Sequence, residues 1–213
     1  SWKNILVLTL LAFIIGIQNG QAQEKRVKFS IHTSLGELNG ELFNETPMHR
    51  DNFIKLVSEG WYEDSFFHRV INHFMIQGGQ NANGNEDAGY TVPAEFVPTD
   101  HVHHKGMLAA ARESDKINPT KASSAAQFYI VQGRQTQAMQ LQQMAAQKGI
   151  KYSPEDIARY ETDGGTPGLD ADYTVFGEVI EGMDIIDKIA AVQTAPGDRP
   201  FKDVKMKLSI VKK

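Results

Sequence analysis

Between Phe66 and Gly79 the chain reads Phe-Phe-His-Arg-Val-Ile-Asn-His-Phe-Met-Ile-Gln-Gly-Gly, which sets one arginine among aromatic, thioether and amide side chains in a single strand-turn-strand. Strand alternation sends Phe67, Arg69 and Ile71 one way and Phe66, His68 and Val70 the other. After an Asn72-His73 turn, Phe74 and Ile76 alternate with Met75 and Gln77. One face then carries a cation beside apolar groups, and a guanidinium is a permanent, rigid hydrogen-bond donor. The same pattern describes an edge hairpin whose Arg69 lays its stem on the core and keeps its head in water; on the hairpin alone, that plainer reading leads. A second amide sits beside an aromatic ring at Gln127-Phe128-Tyr129, where Gln127 and Tyr129 share a strand face. Asp100-His101-Val102-His103-His104 puts alternate histidines on one face, as metal ligands would be, but no third side completes a tetrahedral set and no metal is assigned. Gly78, Gly79 and Gly84 are followed by neither a lysine nor a helix start, so no phosphate loop is read there.

The elements that position these groups occupy a chain of 213 residues, 41% hydrophobic and 23% charged, which suits one globular domain with a sizeable core. A formal charge of -4, with the basic residues scattered, gives no field that would gather nucleic acid or an anionic membrane. The absence of cysteine excludes disulfides and thiol catalysis. Near the N-terminus Lys3 precedes an apolar run from Ile5 to Ile15, too short for a spanning helix of about 20 residues, and Gly20-Gln21-Ala22 offers small residues for cleavage. Residues 1–22 therefore read as a secretory signal peptide. The expected mature chain is 23–213, a single domain without a stable membrane span, exported to the periplasm or beyond.

Val27 to His32 alternates strictly, Ser34-Leu35-Gly36 turns and Glu37 to Leu42 returns, an opening hairpin. Thr46-Pro47 supplies an N-cap and a first-turn proline for a helix from about Pro47 to Glu59, with Phe53, Leu56 and Val57 at helical spacing. Gly106 to Arg112 is a strand of small residues that admits close approach of another backbone, and Ala126 to Val131 is a further strand. Composition changes over 134–167. Met139, Leu141, Met144 and Ala145 mark a glutamine-rich helix, and Ser153-Pro154-Glu155-Asp156 caps a second that ends by Gly164-Gly165. That helical pair reads as an insertion, either a solvated excursion or a device for substrate selection. Tyr173 to Ile180 is a strand; Met183, Ile186, Ile189 and Ala190 mark a helix; Val204, Met206, Leu208 and Ile210 alternate with polar residues in a closing strand. About eight strands and two core helices without βαβ alternation suit a mainly β fold, a closed eight-stranded antiparallel barrel capped by two helices.

Phe67-His68-Arg69-Val70-Ile71, Phe74-Met75-Ile76-Gln77-Gly78-Gly79, Gly106-Met107-Leu108-Ala109-Ala110-Ala111, Gln127-Phe128-Tyr129-Ile130 and Val175-Phe176-Gly177-Glu178-Val179 resemble, in order, the motifs of the cyclophilins, the peptidyl-prolyl cis-trans isomerases. The resemblance runs from roughly Val27 to Val211, interrupted at the helical pair. It implies an active site on the outer face of the barrel, rotation of X-Pro bonds in proline-containing polypeptides, no cofactor or metal, and a monomer that assists folding of exported proteins. By that likeness Arg69 is catalytic, with His68 beside it. Phe74, Met75, Tyr129 and Leu169 wall the proline pocket, Gln77 and Gln127 hold the substrate backbone, and Ala111 and Arg112 line its path. Tyr173 stands where better-known members carry histidine.

Three further positions depart from the family pattern. Gln80 follows the paired glycines where aspartate is usual, Ala125-Ala126 replaces Gly-Ser, and Gly168 falls where many relatives carry tryptophan, which leaves that side of the pocket open. In this family cyclosporin fills the proline site and hydrogen-bonds that indole, so weak or absent inhibition is expected here. The competing reading is a chaperone-like prolyl-peptide binding module with weak or no turnover. Gly168 favours it, whereas Arg69, Phe74 and Gln77 favour the enzyme; an exported metal-binding protein built on the histidines trails both.

Overall fold

The computed structural model describes residues 25–97 and 101–211; the leader expected at 1–22, and Asp100, lie outside them. The opening hairpin forms as its alternation demands. Strands β1 (Lys28–Thr33) and β2 (Gly36–Leu42) pair antiparallel, with Phe29, Ile31, Leu38 and Leu42 turned inward. Helix α1 (Pro47–Ser58) follows, but Thr46 does not cap it: its side chain makes no cap bond and its hydroxyl is buried without a partner among the described residues. Glu95, from a distant loop, accepts instead from the backbone N–H of Met48 (3.0 Å) and of His49 (2.9 Å). A carboxylate satisfies two orphan donors at once and sets a negative charge at the positive end of the helix, which a hydroxyl cannot do.

The remaining strands are β3 (Arg69–Ile71), β4 (Met75–Gly78), β5 (Thr91–Val92), β6 (Met107–Ala110), β7 (Ser123–Ser124), β8 (Phe128–Val131), β9 (Val175–Glu181) and β10 (Met206–Val211). All but β5 and β7 join β1 and β2 in one antiparallel sheet, ordered β10-β1-β2-β9-β6-β8-β4-β3. This corrects the expected closed barrel, because among the described residues the ladder is linear, with β10 and β3 at its edges. The flanks of those edges meet only at one bridge, Phe66 opposite Lys205, where Phe67 N–H donates to Val204 C=O (3.1 Å) and Met206 N–H to Ser65 C=O (2.9 Å). Beside this bridge Phe67 leaves the strand alternation and is completely buried. It therefore lies in the core and does not share a face with Arg69, as the alternation had predicted.

Both faces of the sheet are apolar. Phe29, Phe67, Val70, Ile76, Phe128 and Ile130 pack with Phe53 of α1 and with Ile186 and Ile189 of a later helix into the main core. Met75, Ala109, Tyr129, Val131 and Val175 make a second cluster on the other face, joined by Ile71, Phe74, Leu169 and Tyr173. Phe74 does not follow Ile76 inward; the reversal at His73 (φ 64) puts its ring on the same side as Met75.

Beyond β8 come α2 (Ala138–Lys148) and α3 (Pro154–Thr162), then a 3-10 turn at Pro167–Leu169, and α4 (Met183–Ala190) follows β9. The chain leaves the sheet at Gly133 and returns at Gly165, where Arg134 and Gly165 exchange backbone hydrogen bonds of 3.1 and 3.0 Å. Gly133 has φ 72, and a Cβ there would strike the Gly165 backbone, so glycine is required at this neck. Ser153 and Asp156 form the capping box of α3. Leu141, Ala145, Tyr152, Tyr160 and Val102 build a small third core. Met139, expected on the apolar stripe, is 71% exposed, because it lies about 200° around the helix from Leu141.

The histidines do not share a face, since 101–103 form a loop and not a strand. His101 stacks on Phe43 at 4.0 Å, His103 bonds Asp170, and His104 meets Tyr160 edge-on at 4.6 Å. Neither ring nitrogen of His104 has a hydrogen-bond partner among the described residues; Asp156 is 3.5 Å away. Burial, with Arg159 adding and Asp156, Asp170 and Asp163 opposing, pushes His104 from 6.5 down to about 4. Above pH 6.5 the imidazole is neutral in folded and unfolded chains alike. As pH falls toward 4 the unfolded chain takes up the proton first, so stability drops. His104 alone should remove about 3 kcal/mol over that interval. His104→Phe keeps the ring packing and removes the titration. Urea unfolding at pH 7 and pH 4.5 should show near-native stability for this variant at pH 7 and a smaller acid loss than wild type. Equal acid losses would assign them to other groups.

Candidate functional site

Antiparallel register assembles the site in one row across the sheet. Arg69 of β3 lies opposite Gln77 of β4, Gln77 opposite Tyr129 of β8, Tyr129 opposite Ala109 of β6, and Ala109 opposite Val175 of β9. Neighbouring strands stand about 4.8 Å apart, so a cation, an amide and an aromatic ring follow one another within reach of a single small ligand. Along this row lies a cavity of about 130 Å³ lined by Arg69, Phe74, Met75, Gln77, Ala111, Arg112, Tyr129, Leu169 and Tyr173.

Arg69 is largely exposed at the rim. Its Nη1–H donates to Gln77 Oε1 (3.3 Å), and Asp198 Oδ2 lies 3.7 Å from Nε. Gln77 Nε2–H donates in turn to Gln127 Oε1 (2.9 Å), so the two amides form a continuous polar edge beside the apolar wall. Gln127 supports Gln77 without itself lining the cavity, and His68 does not line it either. His68 is half-buried, and its Nδ1 has no hydrogen-bond partner among the described residues; burial lowers its pKa, Glu86 opposes, and Arg199 and Arg69 add to the fall.

Arg112 is the more constrained of the two pocket arginines. Its Nε–H donates to Asp172 C=O (2.7 Å), its Nη1–H to Glu113 C=O (2.9 Å) and Asp115 Oδ1 (2.6 Å), and its guanidinium lies 4.4 Å over the Tyr173 ring. It lines the cavity while holding the Asp172–Tyr173 stretch in place. Tyr173 in turn meets Tyr129 edge-on, with ring centroids 6.1 Å apart. The Tyr129 hydroxyl is 3.0 Å from His103 Nε2, and burial pushes its ionisation far up, so it stays a protonated donor.

Behind this wall sits Asp170, fully buried. It accepts from His103 N–H (2.7 Å), His103 Nδ1–H (2.8 Å), Tyr152 O–H (2.7 Å) and Tyr160 O–H (2.6 Å). Four donors suit an ionised carboxylate, which only accepts. With His103 Nδ1 protonated toward it, Nε2 is left to accept from Tyr129. Beside Leu169, Gly168 is exposed and an added Cβ would meet nothing within 4 Å, so the wall is open at that point.

Residues 28–210 match the family described as Cyclophilin type peptidyl-prolyl cis-trans isomerase/CLD. The chain belongs to this isomerase family. A Staphylococcus aureus (strain USA300) protein provisionally named a peptidyl-prolyl cis-trans isomerase is 33% identical over 191 residues, 87% of this chain and 92% of that protein. A Staphylococcus haemolyticus protein with the same name is 32% identical over 192 residues, 87% of this chain and 91% of its own. In fold, the chain is similar to a crystal structure of a Cryptosporidium parvum cyclophilin type peptidyl-prolyl cis-trans isomerase, with TM-score 0.66 and 22% identity over 89% of this chain and 99% of that one.

The size of a depression does not select the site in this cyclophilin. A wider groove of about 540 Å³ near Val57, Glu63, Asp64, Lys205 and Lys207 carries mixed charge but no arginine. Sequence reading passed over Asp198, Asp170 and His103 as site-supporting residues. Pro196-Gly197-Asp198 announces a turn, and nothing local to it says that the turn lies against β3, where Asp198 C=O accepts from Val70 N–H (2.8 Å). Asp198 has φ 65, which asparagine tolerates. Asp198→Asn should keep the turn and loosen Arg69. An exposed ion pair is worth up to about 1 kcal/mol, so kcat/KM for a proline peptide should fall about 2- to 5-fold with an unchanged melting curve. Unchanged turnover would show that Gln77 alone orients the guanidinium.

Proposed function

We propose that this cyclophilin accelerates rotation about X-Pro bonds in proline-containing polypeptides, with Arg69 as the donor to the twisted amide nitrogen. The observation that carries the reading is the position of Arg69 at the rim of an apolar cavity, in register with Gln77 and Tyr129. A Cryptosporidium parvum relative was crystallised in the presence of the dipeptide Ala-Pro, a ligand whose ring suits a pocket walled by Phe74, Met75, Tyr129 and Leu169.

An X-Pro bond resists rotation by about 18–20 kcal/mol. In the planar amide the nitrogen lone pair is delocalised; in the twisted state it is localised and accepts a hydrogen bond. A guanidinium aimed at that nitrogen binds the transition state more tightly than either planar form. One charge-assisted bond is worth about 1.5–3 kcal/mol net, whereas an acceleration near 10⁶-fold requires about 8 kcal/mol. The remainder is assigned to the walls that hold the proline ring and desolvate the amide, and to Gln77 and Gln127 gripping the backbone while the carbonyl turns. Ala111 and Arg112 border the path of the chain. Every step uses side chains alone. The expected clients are exported polypeptides, a reading that rests on the apolar run from Ile5 to Ile15.

A coupled cleavage assay on an Ala-Pro peptide tests the mechanism. Arg69→Ala should lower kcat/KM on the order of 10²- to 10³-fold, as for removal of one transition-state donor, with the fold retained because the side chain is exposed. Near-full turnover in that variant would remove Arg69 from the chemistry. The open wall favours a second reading, a prolyl-peptide binder with little turnover, and wild-type turnover in the same assay separates the two.

The Gly168 opening also bears on inhibition. Lacking an indole donor and its apolar area, the site should bind cyclosporin weakly, by about 2–3 kcal/mol or roughly 30- to 150-fold relative to a tryptophan-bearing pocket. Gly168→Trp should recover part of that, since the position has room for a side chain. Equal inhibition of wild type and variant would mean that another element supplies the missing contact.

A further inference from the structure

We propose that α2 and α3 form the rear support of the proline pocket, with Asp170 as the positioning residue that passes their packing through His103 to the Tyr129 wall. The inference rests on the isomerase reading and gives the helical pair a role in it. Asp170 directly follows Leu169, and its two carboxylate oxygens take donors from different parts of the fold. Oδ2 takes the hydroxyls of Tyr152, just before α3, and Tyr160, within α3 (2.7 and 2.6 Å), while Oδ1 takes the backbone N–H and Nδ1–H of His103 (2.7 and 2.8 Å). His103 then reaches the Tyr129 hydroxyl at 3.0 Å, its ring nearly parallel to that of Tyr129. All of these groups are buried, so none can exchange its partner for water without moving.

A second tie runs alongside. Lys148, in the last turn of α2, donates to Asp170 C=O (3.0 Å) and to the Asp172 carboxylate, which also takes Lys121. The segment from Leu169 to Tyr173, which lends two side chains to the cavity, is therefore held by a side chain of α2 as well as by Tyr152 and Tyr160. Where Gly168 leaves the wall thin, support comes from behind the wall. A pocket wall holds the proline ring in ground and transition states alike, so loosening it weakens binding more than it slows rotation.

The test is a double-mutant cycle on the full chain between Tyr160→Phe, which removes one donor from Asp170, and Tyr129→Phe, which cuts the relay at the pocket. For each variant the Kd of an Ala-Pro peptide is measured by NMR titration and its catalysed exchange rate in the same sample, well below the melting temperature. Tyr160→Phe should raise Kd about 3- to 10-fold with the bound-state exchange rate within about twofold of wild type, and that rise should largely vanish in the Tyr129→Phe background. Lys148→Met, which leaves the buried carboxylate untouched, should raise Kd in the same direction and covers the case in which Tyr160→Phe fails to fold. Unchanged Kd in the folded variants, or effects of Tyr160→Phe and Tyr129→Phe that simply multiply, overturns the relay and leaves the helices a purely structural excursion. Coupled Kd changes without catalysed exchange in wild type would uphold the relay and remove the isomerase reading.

Discussion

The site depends on one constraint: β4, β8 and β6 bury side chains on both faces. A sheet packed on one side only would leave Met75, Tyr129 and Ala109 in water, and the pocket that Met75 and Tyr129 help line would not exist. Here Ile76, Phe128 and Ile130 face the main core while Met75, Tyr129 and Val131 face the outer cluster, so each strand is clamped from two sides. That clamping makes the cross-strand row from Arg69 through Gln77 to Tyr129 a rigid one. A flexible arginine is useful as a transition-state donor only when the surface under it does not move.

Polar groups in and behind that row are organised by their need for partners. Gln77 accepts from Arg69 through its amide oxygen and donates its amide N–H to Gln127. Glu95 caps α1 from a distant loop and also bonds His49 at 2.6 Å, tying that helix to the loop. Asp170 is the extreme case. A buried carboxylate is tolerated only when its oxygens are fully donated to, and meeting that demand draws in a loop histidine and two tyrosines from the helical pair. The cost of burying one charge thereby ties the segment after Leu169 to that loop and to the helical pair, which already share the small core of Val102, Tyr152 and Tyr160.

Sequence alone determined most of the longer strands and helices, most of their apolar faces, and the motif set that marks the family, because these are local properties set by side-chain period, caps and turn residues. Through the family likeness it named Phe74, Met75, Gln77, Tyr129, Leu169 and Tyr173 as site residues, and these side chains line one cavity. It misjudged Phe67, since strand alternation cannot say where a strand begins, and it paired His101 with His103 on a strand that does not form. The single bridge between the sheet edges, the Glu95 cap, the Asp198 contact to Arg69 and the links from Asp170 to Tyr152, Tyr160 and His103 were decided by tertiary structure. Each joins groups whose meeting depends on strand order and chain return, and no local pattern of residues encodes which distant donor a buried acceptor will find.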